Sequence, residues 1–278
     1  MSLWVRLLLS SCAFTSPSIR PDRPTASAHA TNPRMAIAVV GATGGVGAEA
    51  TYQALTLRNQ NVRALVRDPA RLNVPPGSGK LDAGKPMQDE KLNVLQGDVK
   101  NINDVEALID DSVTGVVVAL GGKSKDVGET MLTQGTSNVI SACKKRGIKR
   151  IAVVTSIGCG DSENQAPFFF KMLMMTVMRN IFADKNNQEN LFFSGPGSDM
   201  DYCIVRPGGL SNDPPNGIIN VIKGEAGSIA RADVAAFCLD ALLEDDFAHL
   251  RSAPCISSEK GTSWVKEKGM TIGGKVVE

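Results

Sequence analysis

The sequence predicts an α/β fold, with a doubly wound and mostly parallel sheet in a single domain. From residue 35 onward, short apolar runs alternate with segments of helical character, which is the order expected of successive βαβ units. The run at 115–120 is apolar throughout, as in a parallel strand that helices cover on both faces. A glycine-rich turn at 41–47 separates the first apolar run from the first helical segment.

The individual elements follow from local patterns. Gly147 ends the longest helical pattern as a typical C′ residue. Residues 73–91 are rich in Pro, Gly, Lys and Asp and predict a surface excursion. Crossovers are expected to be right-handed, with helices on both faces of the sheet. The predicted strands are 35–40, 61–66, 92–95, 115–120, 150–155 and 202–205, and the predicted helices are 47–58, 103–110, 131–146 and 231–243.

Residues 1–34 differ in composition from the rest and are predicted to lie outside the folded domain, which spans 35–278. They hold four arginines, six serines and a single acid, Asp22, which is typical of transit peptides. The run at 11–17, S-C-A-F-T-S-P, resembles bipartite plastid presequences that are cleaved before a Phe. We therefore expect a plastid (chloroplast) location, with the mitochondrion or cytoplasm as alternatives. A tail without targeting meaning also stays open.

Composition excludes several classes of function. The 278 residues include 30 basic and 29 acidic side chains, so bulk electrostatics does not favour nucleic-acid binding. With only His29 and His249 and six scattered cysteines, a metal site or a Ser-His-Asp triad lacks its components, and buried free thiols are expected. No later segment has 18 apolar residues without a charge, so no membrane span is predicted.

The glycine turn predicts a nucleotide site. Residues 39–47 read V-V-G-A-T-G-G-V-G, which places Gly41, Gly44 and Gly47 where the first strand passes into the first helix. Glycine permits φ > 0 there and lets a diphosphate approach the backbone. The helix behind it offers unpaired N–H groups and a positive dipole end. A purely structural turn is the alternative.

The end of the second strand favours NADP(H) over NAD(H). An acid at this position bonds the ribose 2′-OH in NAD-binding folds. Here the strand ends A-L-V-R-D, with Arg67 at that position, and a guanidinium binds a 2′-phosphate in a bidentate manner. The alternatives are that Arg67 is only a solvated strand end, or that Asp68 serves a hydroxyl.

A Met- and Phe-rich segment lies at 167–182, between the fifth and sixth strands. It holds four of the ten methionines together with Lys171 and Arg179, so it is too short and too charged to cross a bilayer. Core packing is the favoured interpretation. A flexible wall over a planar apolar substrate, or a surface for self-association, is the alternative.

Five sequence runs together resemble one known family. They are G-A-T-G-G-V-G (41–47), L-V-R-D (65–68), G-D-V (97–99), D-Y-C-I-V-R-P-G-G-L (201–210) and S-I-A-R-A-D-V-A (228–235). The chain from 35 to about 259 is similar to the atypical short-chain dehydrogenase/reductases of the NAD(P)H-binding, NmrA-like type, including the biliverdin/flavin reductase branch. This resemblance implies a Rossmann-type NAD(P)-binding domain with a small C-terminal substrate-side lobe.

The resemblance also implies roles for particular residues. Asp98 and Val99 would contact adenine, 119–121 would border the cofactor, and 207–209 would lie near the nicotinamide. Arg231 and Asp233 would brace the substrate-side lobe, although Asp233 is equally well explained as an acid in a first helical turn. The predicted cofactor-binding residues are Gly41, Ala42, Thr43, Gly44, Gly45, Val46, Gly47, Arg67, Asp98, Val99, Ala119, Leu120, Gly121, Pro207, Gly208 and Gly209.

The chain departs from the wider superfamily at the catalytic acid. That superfamily uses a Tyr-x-x-x-Lys pair, and the two tyrosines here, Tyr52 in the first helix and Tyr202 on a core strand, do not fit it. Ser156 at the end of the fifth strand matches the superfamily's catalytic Ser and is a candidate to hold a substrate carbonyl. Lys185 is a candidate to bond the nicotinamide ribose. Its alternative is a surface pair with Glu189 four residues later.

These observations predict an NADPH-dependent oxidoreductase that acts on a small molecule. Without a Tyr acid, carbonyl reduction loses a factor of roughly 10²–10⁴ in rate. Hydride transfer to a conjugated acceptor, such as a flavin, quinone or tetrapyrrole-like molecule, loses less because the acceptor delocalises the arriving charge. The alternative is a non-catalytic NADP(H)-binding redox sensor or assembly factor. A nucleotide-sugar epimerase has little support, since it needs the same Tyr.

Overall fold

The computed structural model describes residues 35–122, 130–224, 227–258, 271–272 and 275–276. The predicted leader, residues 1–34, lies outside the described residues. The strands are β1 (Ala36–Val40), β2 (Asn61–Val66), β3 (Leu92–Gln96), β4 (Val113–Val118), β5 (Arg150–Val154), β6 (Asp201–Pro207), β7 (Gly209–Ser211), β8 (Asn220–Ile222), β9 (Ser228–Ala230), β10 (Cys255–Ser257), β11 (Thr271–Ile272) and β12 (Lys275–Val276). The helices are α1 (Gly45–Thr56), α2 (Pro76–Gly79), α3 (Ile102–Leu108), α4 (Met131–Arg146), α5 (Phe168–Met175), α6 (Arg179–Phe193) and α7 (Arg231–Leu243).

One eight-stranded sheet organises these elements, in the order β3-β2-β1-β4-β5-β6-β10-β8. All neighbours pair in parallel except β8, which is antiparallel to β10. The chain winds outward from β1 to β3 and then returns to β4 on the other side of β1. Such a reversal opens a crevice at the carboxyl ends of the strands, where ligands bind in folds of this type. Separately, β7 pairs with β9, and β11 pairs with β12.

Each central strand contributes to two hydrophobic layers because successive side chains point to opposite faces. In β1, Ile37 and Val39 pack in the layer beneath α1 and α7, whereas Ala38 and Val40 pack in the layer beneath α3, α4 and α6. All of β1 is buried, as a parallel strand covered on both sides requires. This confirms the predicted fold class, a doubly wound α/β domain.

Local patterns located most helices and strands well. The predictions for 61–66, 131–146 and 231–243 match β2, α4 and α7 residue for residue. Gly147 follows α4 with φ 71°, a left-handed conformation that suits glycine. The short strands β7, β8, β9 and β10 were not predicted, because three residues hold too little pattern.

The prediction of a simple surface excursion at 73–91 is wrong in part. Val74 and Met87 are buried in the core, and the segment contains α2. The backbone N–H groups of Gly77 and Ser78 donate to the carboxylate of Glu49 on α1, at 2.8 and 3.1 Å for the shortest contacts. The excursion is therefore anchored to α1 by a buried acid.

The Met- and Phe-rich segment forms two helices, α5 and the start of α6. Core packing holds for one side of the segment, where Met174, Ile181 and Phe182 are buried. The other side is exposed at four large apolar side chains, so the alternatives of a substrate wall and of self-association stay predictions. The exposed side chains are Phe168, Met172, Met175 and Val177.

Candidate functional site: a cleft at the carboxyl edge of the sheet

A cleft of about 520 Å³ lies at the carboxyl ends of β1, β2, β3 and β4. It coincides with the reversal of strand order. Predicted residues that line it are Gly41, Thr43, Gly44, Arg67, Asp98, Val99, Ala119, Leu120 and Gly121. Further lining residues are Val40, Leu65, Val66, Arg71, Gly97, Lys100, Gly122 and Met131.

The glycine turn is built for close backbone packing. Gly41 has φ +83°, and a Cβ at this position would lie 2.4 Å from the carbonyl oxygen of Ala119. A Cβ on Gly47 would lie 2.2 Å from the carbonyl oxygen of Gly41. Ala42 and Val46 are buried and support the turn from below. These two contacts explain why larger residues do not fit there.

The start of α1 offers donors to an anion. Gly44 occupies the N-cap without a side-chain cap, and the first turn carries no acid. The leading N–H groups of a helix have no partner within the helix, and the dipole places positive charge at the same end. Gly44 also lines the cleft, so an anion in the cleft meets this helix end.

Three exposed cations line the cleft near β2 and β3, namely Arg67, Arg71 and Lys100. Arg71 lies on a 3₁₀ turn, Pro69–Arg71, that directly follows β2. The carboxylate of Asp68 accepts the backbone N–H of Ala70 at 3.0 Å and so caps that turn. The acid beside Arg67 is thus engaged in local structure. Sequence analysis missed Arg71 and Lys100, although the spacing of Arg71 four residues after Arg67 was a usable signal.

The loop after β3 is held in a defined shape. The backbone N–H of Asp98 donates to Asp104 Oδ2 at 2.8 Å, and Asp98 Oδ1 accepts the N–H of Lys100 at 2.9 Å. Asn138 Nδ2 on α4 donates to the carbonyl of Val99 at 2.9 Å. The side chain of Val99 is buried, so it forms the apolar floor of this part of the cleft.

Arg231 connects the glycine turn with the chain after β6. A Cβ on Gly45 would lie 2.5 Å from Cδ of Arg231, so the arginine stem rests against this glycine. Its Nη1 donates to Asn212 Oδ1 at 2.8 Å and to the carbonyl of Leu210 at 3.3 Å. Gly45 therefore leaves room for a cation beside the glycine turn.

Asp233 is a buried acid at the start of α7. It lies in the first turn of α7, and its carboxylate accepts the N–H groups of Asn216 and Gly217 at 3.2 and 3.1 Å. Burial raises the pKa of Asp233, and these two hydrogen bonds oppose that rise. The residue anchors the turn at 216–217, next in the chain to β8.

Pro207, Gly208 and Gly209 lie at the carboxyl end of β6 and are not among the lining residues of the cleft. Their backbone groups hold neighbouring segments: Ile157 N–H donates to Pro207 O at 3.0 Å, and Gly209 N–H donates to Gly227 O at 2.7 Å. Because β4, β5 and β6 are adjacent and parallel, this end of β6 continues the edge on which the cleft opens.

Ser156 follows β5, and Lys185 reaches the same end of that strand; neither residue is among those that line the cleft. Ser156 Oγ donates to the carbonyl of Ile157 at 3.0 Å, and Lys185 Nζ donates to the carbonyl of Thr155 at 3.0 Å. Burial lowers the pKa of Lys185, and the neighbouring Cys159 and the carboxylates on its own helix oppose that change.

The alternative of a surface pair between Lys185 and Glu189 is wrong. Glu189 is 1% exposed and forms its ion pair with Arg206, at 2.7 Å between Oε2 and Nη2. The four-residue spacing suggested a solvated pair because the sequence does not show that this side of α6 faces the sheet.

Neither tyrosine lies at this edge. Tyr202 is 7% exposed, and its ring packs against Phe192 with 5.3 Å between ring centroids. Tyr52 on α1 lines a separate groove together with Met87. In the part of the chain that the structure describes, no group of three or more His, Cys, Asp or Glu side chains is placed to hold a metal ion. Within the same ranges, no helix has the length and apolar character needed to span a membrane.

The chain has the architecture of a Rossmann-type dinucleotide-binding protein. This class is defined by the strand order together with the glycine turn that leads into the start of α1. Residues 41–245 match the NAD(P)H-binding family, and the chain belongs to this family. The resemblance inferred from the sequence runs is thereby confirmed.

One protein of similar sequence and two solved structures of similar fold can be compared with the chain. An uncharacterized chloroplastic protein of Arabidopsis thaliana is 32% identical over 224 residues, which cover 75% of this chain and 72% of that relative. The anaerobilin reductase of Escherichia coli O157:H7 has the same fold, with TM-score 0.62, 24% identity and coverage of 81% of this chain and 98% of that chain. A short-chain dehydrogenase/reductase of Veillonella parvula, solved in complex with NADP, has TM-score 0.62, 17% identity and coverage of 82% and 96%.

Proposed function

We propose that the protein is an NADPH-dependent oxidoreductase that transfers hydride to a conjugated acceptor, such as a flavin, a quinone or a tetrapyrrole-like molecule. The observation that carries the proposal is a cleft lined by three cations, at a carboxyl edge of the sheet where neither tyrosine lies. The cations favour a dinucleotide that carries a 2′-phosphate. The lack of a tyrosine acid favours an acceptor that delocalises the negative charge it receives with the hydride.

The cofactor assignment rests on charge. NADP(H) differs from NAD(H) by a 2′-phosphate, which Arg67, Arg71 and Lys100 would hold at the end of the cleft near β2. Asp68, the one acid at the end of β2, already caps a backbone N–H. The diphosphate would bind at the start of α1, and Arg231 would add positive charge beside Gly45.

The acceptor assignment rests on what the neighbouring edge supplies. When bound, the nicotinamide supplies hydride; the chain must supply orientation and a place that excludes water. Ser156 would donate a hydrogen bond to an acceptor carbonyl, and Lys185 would bond the nicotinamide ribose. That a protein of the same fold is an anaerobilin reductase agrees with a linear tetrapyrrole or a similarly extended acceptor.

A single assay tests the proposal. Purified residues 35–278 are mixed with NADPH, and absorbance at the NADPH band is followed after addition of FMN, biliverdin or a benzoquinone. We expect oxidation with at least one acceptor and its loss in Gly44→Val, which crowds the diphosphate turn. Tight NADPH binding without oxidation by any acceptor would instead support the redox-sensor or assembly-factor function.

We further propose that residues 1–34 are a plastid-targeting leader that precedes the catalytic domain. Their Arg- and Ser-rich, acid-poor composition supports this, and so does the chloroplastic relative, whereas nothing favours a mitochondrial or cytoplasmic location. A fusion of residues 1–34 to a fluorescent protein should enter plastids, and the same fusion without these residues should not.

A further inference from the structure

A buried ion pair lies beneath the turn that follows β5. Arg206 Nε and Nη2 donate to the two carboxylate oxygens of Glu189 at 3.0 and 2.7 Å, and Nη1 donates to Asp161 Oδ1 at 2.5 Å. The side chains of Arg206 and Glu189 are 2% and 1% exposed. Burial alone would lower the pKa of Arg206, but the hydrogen bonds and charges of Glu189 and Asp161 raise it above its usual value. The guanidinium therefore stays charged.

Stability alone does not account for this pair. Removing two charges from water costs several kcal/mol for each ion, and well-packed apolar residues of similar volume are often neutral or stabilising replacements. The local backbone is also adapted to the pair: a Cβ on Gly160 would lie 2.7 Å from Arg206 Nη2. The groups that the pair holds in place are therefore informative.

The pair holds the side chain of Thr155, the residue before Ser156. Thr155 Oγ1 donates to Glu189 Oε1 at 2.7 Å, and Thr155 N–H donates to the carbonyl of Val205 at 2.8 Å. Its carbonyl accepts Lys185 Nζ at 3.0 Å. All three polar groups of Thr155 are thus engaged, so the backbone position of Ser156 is set.

Glu189 also acts on Lys185 through its charge. Both residues lie on α6, and Lys185 Nζ bonds the same Thr155 whose hydroxyl Glu189 accepts. The titratable groups that act on the amine are Cys159 from the turn after β5, and Glu189 and Asp184 from α6. Burial lowers the pKa of Lys185, and these three groups oppose the decrease.

We infer that Glu189, locked by Arg206, is a positioning residue that holds Ser156 and the Lys185 amine on one turn beside the cofactor cleft. This inference rests on the proposed reductase function, in which Ser156 and Lys185 contact the acceptor and the nicotinamide ribose. Glu189 itself contacts neither. Its effect passes through Thr155 and through the electrostatic environment of the amine.

The test uses Glu189→Gln, which keeps the volume and one acceptor oxygen but removes the charge. We expect kcat with the best acceptor to fall about 10²-fold, as small misplacements near reacting groups do, while NADPH affinity changes little. NMR titration of ¹³C-labelled lysine in the cofactor-free protein should show a lower pKa for Lys185, because a neighbouring negative charge has gone. The Lys185 signal is identified by its loss in Lys185→Arg.

Asp240→Asn is the matched control. Asp240 is another buried carboxylate paired with an arginine, Arg58, but it lies on α7. Its removal should change stability and leave both kcat and the Lys185 titration as in the wild type. A double variant, Glu189→Met with Arg206→Met, replaces the pair by apolar side chains and serves where Glu189→Gln does not fold. A folded double variant with low kcat supports positioning.

A folded Glu189→Gln or double variant with wild-type kcat and an unchanged Lys185 titration overturns the inference, because the pair is then structural only. If none of the acceptors tested supports oxidation of NADPH by the wild type, the proposed function fails. The NMR titration still decides the positioning role in that case: a lowered Lys185 pKa in Glu189→Gln supports it, and an unchanged one overturns it.

Discussion

Replacing Arg67 and Arg71 by Gln tests the cofactor preference directly. Both guanidinium groups are exposed and line the same end of the cleft. A hydrogen bond to a charged group contributes about 1.5–3 kcal/mol, which corresponds to about 10- to 150-fold in affinity. Because both groups are exposed and screened by salt, we expect the lower part of this range, about 10- to 30-fold, for Arg67→Gln.

The assay is the dissociation constant of NADPH and of NADH, followed by the fluorescence of the reduced nicotinamide. Arg67→Gln should weaken NADPH and leave NADH nearly unchanged, since NADH lacks the 2′-phosphate. If Arg67 and Arg71 contact one phosphate, their effects are coupled, and the double variant will not show the sum of the single effects. The preference should also decrease as ionic strength rises.

Arg179→Gln is a suitable control because Arg179 is exposed at the start of α6, outside the cleft lining. It should leave both dissociation constants unchanged. The assignment is refuted if wild-type NADPH and NADH affinities lie within tenfold of each other, or if the ratio survives the double replacement of Arg67 and Arg71. Either result would mean that these cations only solvate the end of β2.

Two further predictions concern stability. Gly41→Ala should lower the free energy of unfolding by more than about 2 kcal/mol in urea denaturation, since φ +83° costs about 1–2 kcal/mol and the Cβ would lie 2.4 Å from Ala119 O. Gly84 also has φ +84°, but a Cβ there would have nothing within 4 Å. Gly84→Ala therefore measures the backbone strain alone, and equal losses of unfolding free energy in the two variants would contradict the contact argument. Burial raises the pKa of Asp240 to about 6. Ionisation of this carboxyl therefore destabilises the fold as the pH rises through that value, and this destabilisation is absent at low pH. Between pH 4 and pH 8, the free energy of unfolding of Asp240→Asn should therefore increase by about 2 kcal/mol relative to that of the wild type, and a pH-independent difference would contradict this reasoning.

Much of the cofactor half of the fold was predictable because its signals are local. The turn at 41–47 needs glycine for reasons that neighbouring residues reveal, namely the passage from an apolar run into a helix. The apolar run at 115–120 overlaps β4, since a strand covered on both faces has no polar positions to confuse the pattern. Arg67 was found by its position at a strand end. In each case, the residues that predict the feature lie within about ten positions of it, whereas the close approach of Gly41 to Ala119 is visible only in the folded chain.

The buried acids were not predictable in the same way. Glu49, Asp184 and Asp233 lie on helices, where an acid ordinarily faces solvent, yet each is 1% exposed. Their partners are backbone N–H groups far along the chain: Asp184, for example, accepts the N–H groups of Leu132 and Thr133 at the start of α4, 52 and 51 residues away. A carboxylate becomes buried when several donors converge on it, and convergence is a property of the folded chain.

The same reasoning explains why the surroundings of Ser156 and Lys185 were only partly predictable from the sequence. Asp184, Gln188 and Glu189 form a buried polar stripe on α6, the helix that also carries Lys185. Periodicity assigns polar residues to the solvent face, so it turns this helix the wrong way round. Burying such a stripe is costly unless its groups find partners. Asp184 and Glu189 find them in Thr133, Thr155 and Arg206. Gln188 Nε2 donates to Thr136, whereas its Oε1 has no partner among the described residues. Under the proposed reductase function, this buried charge would lie where acceptor and nicotinamide meet, so α6 is the element on which substitutions should separate turnover from cofactor binding.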